Sequence, residues 1–421
     1  MRPAEAAFHF GRIFPEVQRE AGHYRRSGDH GNPVKKDPFR WWVLSVFVLS
    51  SAINYLDRQS LATLAPLLRA EFHLSNSEYG LILTAFSLTY AAGAPFAGLL
   101  IDRTGLNRGI SIAIGIWSAA GIFTGYTKGL AGLVACRAVL GLAEAGGIPA
   151  AGKAIHQYLL PAERALVSAV NHAGVSLGLI LAPPLATWIA VQHGWRMAFV
   201  ATGVLGLLWI PLWRRVSQHS TTAKPSAGWD FEILRERRMS GFVIANALSM
   251  AGYSLWTNWT TLYLVEVHRL TLVSAAWIAW IPPVFATLGG FAGGALSLRF
   301  INRGAEAVAA RTRVCLLSAF LAFATALVPL LPSASWAAAG ISLSIFAVAA
   351  FSVNMYSMPL DTFGGARAAF AVSILVSAYG GIQALISPAF GALIDSYGYT
   401  PVCLIASVTP LAAFGVLKWS E

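Results

Sequence analysis

Residues 72–103 read FHLSNSEYGLILTAFSLTYAAGAPFAGLLIDR, and this stretch decides the fold because a related stretch follows later in the chain. A shift of 196 residues gives HRLTLVSAAWIAWIPPVFATLGGFAGGALSLR at 268–299. In both copies a leucine and a hydroxyl residue precede an apolar run that ends in an arginine, at Arg103 and at Arg299. Internal similarity of this kind indicates two copies of one structural unit.

A second pair of stretches supports the repeat. APPLATWIAVQHGW at 182–195 resembles SPAFGALIDSYGY at 387–399, at an offset of 204 residues. We therefore predict an N-terminal six-helix half over 39–213 and a C-terminal six-helix half over 239–421, joined by a cytoplasmic linker over 214–238. Parallel repeats are one of the two repeat types of secondary transporters, which bind substrate between the repeats near mid-membrane. A carrier is the leading interpretation.

The composition of the chain excludes most soluble proteins. Of its 421 residues, 56% are hydrophobic and 12% are charged, whereas soluble domains carry about 25% charged residues. Twelve membrane helices of about 20 residues use roughly 240 residues, which this length accommodates. The predicted fold class is an all-α membrane protein with twelve transmembrane helices in two six-helix halves. The apolar segments lie near 41–66, 79–101, 109–127, 129–152, 165–191, 195–213, 240–265, 272–297, 314–332, 335–358, 368–394 and 400–417.

The positive charge of the chain follows membrane topology. The net charge is +11, and 24 of the 30 Lys and Arg residues fall on one side of the membrane if the N-terminus is cytoplasmic. Because cytoplasmic loops carry an excess of these residues, we expect a multi-pass inner-membrane protein with both termini in the cytoplasm. The charge does not indicate a nucleic-acid partner. Residues 1–38 lack the apolar stretch of a secretory signal, so a disordered cytoplasmic tail is expected.

Four ionisable residues lie inside apolar segments, where a charge costs about 2.5–3.5 kcal/mol at the bilayer centre and marks a functional candidate. They are Asp57, Arg58, Arg137 and Glu144. From a rise of about 1.5 Å per residue, we predict Asp57 and Arg58 toward the periplasmic third. Arg137 is predicted near the middle of the membrane, and Glu144 toward the cytoplasm. Two acids at different heights, with an arginine between them, suit a proton relay that is coupled to an anion site. The alternative interpretations are that these residues form structural ion pairs, or that the Arg58 side chain reaches the membrane surface by snorkelling.

Several stretches carry a family resemblance. GLLIDRTGLNRG at 98–109 resembles the loop 2–3 signature of the major facilitator superfamily, a Gly-x-x-x-Asp-Arg-x-Gly core with a basic tail. Other stretches look like the anion:cation symporter family, which includes hexuronate, galactonate and glucarate importers. These are NYLDRQSLATLAP at 54–66, RAVLGLAEAGGIPAAGKAI at 137–155, PAERA at 161–165 and GWRMAF at 194–199. WIAWIPPVFATLGGFAGGALS at 277–297 and DTFGGARAAFAVS at 361–373 are similar to the hexuronate transporters in particular.

The resemblance implies roles for the four buried charges. In the family, the positions matching Asp57 and Glu144 take the coupling proton. Those matching Arg58 and Arg137 serve anion binding or charge switching. Arginine suits an anion site because its fork of donors matches the two oxygens of a carboxylate and never deprotonates.

Further residues are candidates for substrate contact and for gating. Expected substrate contacts are Tyr55, Tyr90, Asn258, Ser377 and Gln383, unless these residues pack or bond helix to helix. Trp256 and Trp259 could stack on a sugar face or on an aromatic ring. The resemblance implies an inner gate of Asp102, Arg103, Arg108, Lys153 and Arg164, with topology charge as the alternative. Leu106, Asn107 and Leu298 depart from the charged residues of the signature.

The predicted function is proton-coupled import of a small organic anion by alternating access, with a hexuronate or a related sugar acid as substrate. The alternative substrates are a hexonate, a dicarboxylate or an aromatic acid. Sodium is the alternative coupling ion. A drug exporter would not need two buried arginines, and a membrane sensor usually adds a sizeable soluble domain. No paired catalytic groups, metal-ligand spacing or dinucleotide motif occurs, so we expect no enzyme, metal or cofactor. The protein is expected to work as a monomer.

Overall fold

The computed structural model describes residues 39–147, 150–151, 153–154, 164–217 and 231–420. The predicted tail 1–38 and residues 218–230 of the linker lie outside these ranges, so the predicted domain boundaries stay predictions. The α-helices of the described residues are α1 (Phe39–Phe72), α2 (Asn76–Thr104), α3 (Leu106–Thr124), α4 (Leu130–Glu144), α5 (Arg164–His193), α6 (Trp195–Val216), α7 (Arg237–Ser249), α8 (Ala251–Glu266), α9 (Leu272–Ala279), α10 (Ile281–Asn302), α11 (Ala307–Leu321), α12 (Ala324–Leu327), α13 (Ala334–Tyr397) and α14 (Tyr399–Ser420). Short 3₁₀ turns cover Phe231–Arg235 and Val328–Leu330.

The helices form the twelve crossings that the sequence predicts. Eight stretches of the described residues are long and apolar enough to cross a membrane, namely Leu106–Thr124, Val170–His193, Trp195–Val216, Leu272–Asn302, Ala307–Leu330, Ala334–Phe363, Phe370–Tyr397 and Tyr399–Ser420. The remaining crossings are α1, α2, α4 and the consecutive pair α7 and α8. Of these helices, α4, α7 and α8 are each shorter than 18 residues, and α1 carries Asp57 and Arg58 within its length. The predicted all-α class is confirmed.

The two copies of the sequence repeat begin with the same kind of helix cap. The Ser75 hydroxyl accepts a hydrogen bond from the backbone N–H of Glu78 at 3.1 Å, and the Glu78 carboxylate accepts from the backbone N–H of Ser75 at 2.8 Å. This is a capping box, which satisfies backbone donors that the first helical turn leaves free. In the second copy, the Thr271 hydroxyl accepts from the backbone N–H of Ser274 at 3.2 Å. The repeat therefore corresponds to a repeated structural unit.

The long helical run α13 contains two crossings. A straight helix of its 64 residues would be about 96 Å long, roughly three times the hydrocarbon thickness of a bilayer. Both ends of the run lie near one residue, Tyr263. The Tyr263 hydroxyl donates to the carbonyl of Val328, just before the run, at 3.0 Å. The Tyr263 ring meets the ring of Tyr399, just after the run, with centroids 5.0 Å apart. The chain therefore turns back between Phe363 and Phe370.

Each half has its own core, and a third core joins the halves. One apolar cluster lies within the N-terminal half, around Trp209 and Trp213, whose rings stack with centroids 5.2 Å apart. Another lies within the C-terminal half, around Phe351 and Met355. The third and largest cluster contains residues of both halves. Its N-terminal members include Leu61, Leu64, Ala65 and Leu68 of α1, and its C-terminal members include seven residues of α8 between Ala251 and Leu264.

The third cluster marks one end of the bundle, which we call the distal end. With twelve crossings, the chain enters and leaves at the opposite, proximal end. Two polar connections join the halves at the distal end. Arg69 forms an ion pair with Glu266, which also accepts a hydrogen bond from the Tyr399 hydroxyl at 3.2 Å. The Asp395 carboxylate accepts from both backbone N–H groups that open α2, those of Asn76 and Ser77, at 2.9 Å each.

We call these connections, together with the third cluster, the distal seal. The halves separate on its proximal side. Leu64 and Leu68, in the distal part of α1, are completely buried. Arg58 lies one to two turns closer to the proximal end, and its side chain is 24% exposed even though it sits in the middle of the bundle. Because the distal end is closed, we infer that Arg58 is reached from the proximal end. We call the space between the halves on this side the central cavity.

Candidate functional site

The centre of the cavity holds an ion pair between Arg58 of α1 and Glu144, the last residue of α4. Nε and Nη2 of Arg58 donate to the same oxygen of Glu144, Oε2, at 3.0 and 2.7 Å. The other oxygen, Oε1, is buried and has no hydrogen-bond partner among the described residues. The Glu144 side chain is completely buried, whereas that of Arg58 reaches the cavity. The arginine therefore faces the cavity, and the carboxylate lies behind it.

Three aromatic rings surround the Arg58 guanidinium. Its central carbon lies 4.8 Å from the ring centroid of Tyr55, 4.6 Å from that of Phe86 and 5.0 Å from that of Tyr90. Tyr55 lies one turn before Arg58 on α1, while Phe86 and Tyr90 are one turn apart on α2 and stack with centroids 5.7 Å apart. Cations are attracted to aromatic faces, so the rings hold the guanidinium in place without neutralising its charge. The predicted site residues Tyr55 and Tyr90 thus lie next to Arg58.

Asp57 points away from Arg58 into the N-terminal half. Its side chain is 1% exposed, and its Oδ1 accepts a hydrogen bond from the Thr202 hydroxyl of α6 at 2.8 Å. Gly121 of α3 leaves room for the carboxylate, because a Cβ at that position would lie 3.3 Å from both of its oxygens. Within the described part of the chain, Oδ2 is buried without a hydrogen-bond partner. One carboxylate oxygen is therefore available for another donor.

Arg137 lies between the two acids and is bonded to neither. It is 1% exposed, and its Nε and Nη2 are buried with no hydrogen-bond partner in the residues that the structure describes. Its guanidinium carbon lies 5.6 Å from the ring centroid of Phe199. Arg137 interacts electrostatically with both Asp57 and Glu144. Buried N–H groups without partners carry a free-energy cost, so an additional hydrogen-bond acceptor beside Arg137 would bind favourably.

The predicted heights of Arg58 and Glu144 are wrong. The sequence places Arg58 in the periplasmic third and Glu144 toward the cytoplasm, but the structure brings both into one ion pair. The apolar segment ends at residue 66, whereas α1 continues to Phe72, which moves Arg58 to the middle of its helix. Snorkelling of Arg58 to the membrane surface is excluded as well, because its guanidinium lies among three aromatic rings.

The C-terminal residues predicted to contact substrate differ in how available their polar groups are. The Asn258 amide donates to the carbonyl of Ser254 on its own helix at 2.8 Å, so one of its polar groups is already used. Ser377 and Gln383 are half-buried on α13. This stretch packs on α2, since the Thr84 hydroxyl donates to the carbonyl of Ala384 at 2.8 Å. It therefore lies beside the helix that carries Tyr90.

Trp256 and Trp259 are not available for stacking on a substrate. They are 1% and 0% exposed. The Trp259 ring packs against Tyr79 and Phe390, with centroid distances of 5.6 and 6.3 Å. Both tryptophans belong to the core that joins the halves. The interpretation of these tryptophans as stacking platforms is therefore wrong in this conformation.

Three tyrosines of the C-terminal half complete the cavity wall, and none of them was a predicted substrate contact. They are Tyr253 of α8 and Tyr356 and Tyr379 of α13, all half-buried. Tyr253 and Tyr379 interact electrostatically with Tyr55 and Arg58. Tyr356 interacts with Tyr55 and Tyr90. The signal that could have identified them is a hydroxyl-bearing ring within an otherwise apolar crossing.

The predicted inner gate lies at the proximal end. Lys153 donates to the carbonyl of Ile101, near the end of α2, at 3.0 Å. Arg103 and Arg108 are exposed. The side chains of Asp102 and Arg164 lie outside the described residues. Pairing of these residues across the halves concerns a proximally closed state, whereas this structure is open at that end.

No metal site accompanies these residues. In the ranges that the structure covers, no group of three or more His, Cys, Asp or Glu side chains could hold a metal ion. The ionisable groups of the site are two arginines and two carboxylates, of which Arg58 and Glu144 form an ion pair. Such a site is suited to binding an organic anion and a proton.

Comparisons with known proteins identify the family of the chain. The family model described as Major Facilitator Superfamily matches residues 47–374. The hexuronate transporter of Escherichia coli (strain K12) is 28% identical over 398 residues, which cover 88% of this chain and 91% of that protein. The galacturonate transporter of Dickeya chrysanthemi is 29% identical over 285 residues, which cover 62% of this chain and 82% of that protein.

One solved structure shows the same fold. It is the crystal structure of a bacterial homolog to the human lysosomal transporter Spinster, in an inward-facing and unoccupied conformation. It aligns with a TM-score of 0.72 at 21% sequence identity, covering 91% of this chain and 96% of that chain. At this identity, the similarity concerns the fold alone.

Proposed function

We infer that this chain, which belongs to the Major Facilitator Superfamily, is a proton-coupled symporter that imports a sugar acid of the hexuronate type by alternating access. The observation that carries this proposal is the Arg58–Glu144 pair, in which a cavity-facing arginine is bonded to a buried carboxylate. The pair links the binding of an anion to the binding of a proton. The names of the related transporters support the sugar-acid class.

The coupling follows from competition for one guanidinium. In this structure, the Glu144 carboxylate accepts hydrogen bonds from two N–H donors of Arg58. A proton on Glu144 removes the negative charge that holds this contact. The fork of Arg58 then turns to the carboxylate of the substrate, which enters from the cavity side and restores the charge balance. Proton and anion therefore bind together, and each is released more readily when the other leaves.

Arg137 and Asp57 stabilise both states of this exchange. Arg137 interacts with the carboxylates of Asp57 and Glu144 without a hydrogen bond to either. When Glu144 is neutral, Asp57 remains as a counter-charge for Arg137. A proton that leaves Glu144 has Asp57 as a second acceptor close by, so the two acids form a short relay inside the N-terminal half.

Alternating access requires the distal seal to open. The ion pair of Arg69 with Glu266 and the cap of Asp395 on α2 both cross from one half to the other. Two glycines allow the backbones to approach closely at this contact. A Cβ on Gly391 would press on the carbonyl of Asn76 and lie 2.7 Å from Cα of Ser77, and a Cβ on Gly80 would lie 2.7 Å from Cα of Pro388. Substrate enters from the distal side once this contact separates.

We expect Gly391→Ala to shift the protein toward the distally open state. The added methyl group has no room against the backbone of α2, so the two helices must move apart. The measurement is labelling of a single cysteine, introduced at Leu83 in a background whose Cys136, Cys315 and Cys403 are replaced by alanine, by a membrane-impermeant maleimide from the distal side. The labelling rate should rise several-fold over the same cysteine in an otherwise unchanged protein.

Gly415→Ala is the matched control for this variant. No described atom lies within 4 Å of a Cβ at Gly415, so the same change of residue type meets open space. Equal labelling rates for the Gly391 and Gly415 variants would show that close packing of α2 on α13 does not hold the distal end closed.

The sugar-acid class rests on the carboxylate site and on the hydroxyl groups beside it. Arg58 supplies the carboxylate contact, and Tyr55 and Tyr90 place hydroxyl groups next to it. The alternative is another carboxylate, such as a hexonate, a dicarboxylate or an aromatic acid. The test is a thermal-shift panel on purified protein with glucuronate, galacturonate, galactonate, tartrate and benzoate. Stabilisation by uronates above the rest is the expected result, and stabilisation by benzoate alone would contradict the sugar-acid assignment.

A further inference from the structure

The wall of the cavity opposite Arg58 consists of tyrosines. Tyr253, Tyr356 and Tyr379 come from two helices of the C-terminal half, and each is half-buried. The Tyr253 and Tyr379 rings meet edge to face, with centroids 6.4 Å apart. Tyr379 interacts electrostatically with both of the other two. The rings of Tyr253 and Tyr379 are therefore in contact and Tyr356 lies near them, although the three residues are up to 126 positions apart in the chain.

Backbone contacts place Tyr379 beside the aromatic rings that hold Arg58. Its neighbour Gly380 packs on α2, where a Cβ would lie 3.0 Å from Cβ of Ala91 and 3.2 Å from the carbonyl of Ser87. Ser87 and Ala91 directly follow Phe86 and Tyr90 on that helix. The Tyr379 side chain thus begins at the level of the Arg58 guanidinium, with which it interacts electrostatically.

A hydrogen bond between the halves fixes Tyr253 at the same level. The side-chain amide of Gln59 donates to the carbonyl of Thr257 at 2.9 Å. Gln59 directly follows Arg58 on α1, and Thr257 lies one turn after Tyr253 on α8. Gln59, Tyr253 and Thr257 also line one cleft. Tyr253 therefore lies close to the stretch of α1 that carries Arg58, on the other side of the contact between the halves.

We propose that Tyr253, Tyr356 and Tyr379 form a subsite that binds the hydroxyl groups of a polyhydroxy carboxylate whose carboxylate is held at Arg58. A phenol both donates and accepts a hydrogen bond, and so does each hydroxyl of a sugar ring. This assignment rests on the proposed function and adds the part of the substrate that the C-terminal half recognises.

The same cluster discriminates against carboxylates without hydroxyl groups. When the cavity closes around an apolar ring, the phenol hydroxyls that face it would lose water, and the ligand would offer them no hydrogen-bond partner. A buried polar group that is left unpaired costs more than a formed hydrogen bond returns. Stacking on tryptophan cannot compensate, because Trp256 and Trp259 are buried in the core between the halves. The tyrosine subsite thus recognises the hydroxyl groups of the substrate, while Arg58 recognises its carboxylate.

The experiment compares two ligands that differ only in hydroxyl groups. Glucuronate and cyclohexanecarboxylate have a six-membered ring and one carboxylate, and the second has no hydroxyl group. Binding to purified protein is measured by isothermal titration for the wild type and for Tyr253→Phe, Tyr356→Phe and Tyr379→Phe. We expect each variant to weaken glucuronate binding about two- to tenfold, the range for one lost hydrogen bond, and to leave cyclohexanecarboxylate unchanged or bound more tightly.

Tyr397→Phe is the matched control, because Tyr397 ends the same helical run as Tyr379 and is 75% exposed. It should bind both ligands as the wild type does. Equal weakening of both ligands in the three variants would show a packing role and overturn the subsite. Unchanged glucuronate binding in the three variants would also overturn the subsite. If the same variants still took up glucuronate under a proton gradient, the proposed function would remain intact. A wild type that binds cyclohexanecarboxylate and no sugar acid would contradict both.

Discussion

Replacement of Glu144 by Gln is expected to abolish uphill uptake of substrate and to make substrate binding independent of pH. Glutamine has the shape of a protonated glutamate, so Arg58 is permanently free to bind the substrate carboxylate. In the wild type, the same freedom requires a proton, and binding therefore weakens as the pH rises. The variant has lost the titrating group, so a proton gradient no longer contributes to the accumulation of substrate.

The measurement is uptake of labelled glucuronate into proteoliposomes. For one proton per anion, a gradient of one pH unit supports about tenfold accumulation, because one unit corresponds to about 1.4 kcal/mol. The wild type should approach this ratio, whereas Glu144→Gln should stop at equal concentrations. Exchange of internal for external substrate needs no net proton movement, so the variant should retain it.

A carboxylate outside the cavity serves as the control. Glu306 is exposed ahead of α11, and Glu306→Gln should accumulate substrate like the wild type. Accumulation that follows a sodium gradient and ignores the proton gradient would contradict proton coupling. Continued uphill uptake by Glu144→Gln would move the coupling role away from Glu144 and leave Asp57 as the acid to examine.

Replacement of Arg58 by Lys is expected to weaken substrate binding about tenfold to a hundredfold, the range for hydrogen bonds to charged groups. The positive charge stays, but the fork of donors and the flat guanidinium are lost. In this structure two N–H groups of Arg58 converge on one carboxylate oxygen, and three aromatic rings pack on the guanidinium. A lysine ammonium reproduces neither arrangement.

Isothermal titration with glucuronate measures this loss. Arg214→Lys provides the control, since Arg214 is exposed at the end of α6 and its replacement should leave affinity unchanged. Arg137→Lys should also weaken binding, because Arg137 is buried and offers two N–H groups that have no partner among the described residues. Wild-type affinity in Arg58→Lys would exclude Arg58 from the anion site.

The candidate site shows how far prediction from sequence reaches. Asp57, Arg58, Arg137 and Glu144 could be identified as candidates because a charge inside an apolar segment is costly wherever the segment packs. Their partners could not be identified. Arg58 and Glu144 are 86 residues apart, and Thr202 lies 145 residues from Asp57. Which side chains meet depends on the rotation and tilt of separate helices, and helix periodicity contains no information on either.

The C-terminal wall of the cavity was harder to predict for a related reason. Asn258, Ser377 and Gln383 were chosen for their polar groups, yet the Asn258 amide is bonded to its own helix. Tyr356 and Tyr379 were not among the predicted contacts, since each lies within an apolar stretch without a charged residue beside it. Only the contact of Gly380 with α2 shows that Tyr379 begins beside Tyr90.

The sequence by itself determined the membrane class, the twelve crossings, the repeat of the halves and the four buried charges. These properties follow from local hydropathy, charge and similarity, which every stretch of chain carries independently of its neighbours in space. The tertiary structure alone decided that Arg58 bonds to Glu144, that the tryptophans are buried, and that the distal end is closed while the proximal end is open. The physical reason is that each of these depends on how closely two distant helices approach, and that distance is set by packing of small residues such as Gly391 against a backbone far away in the chain.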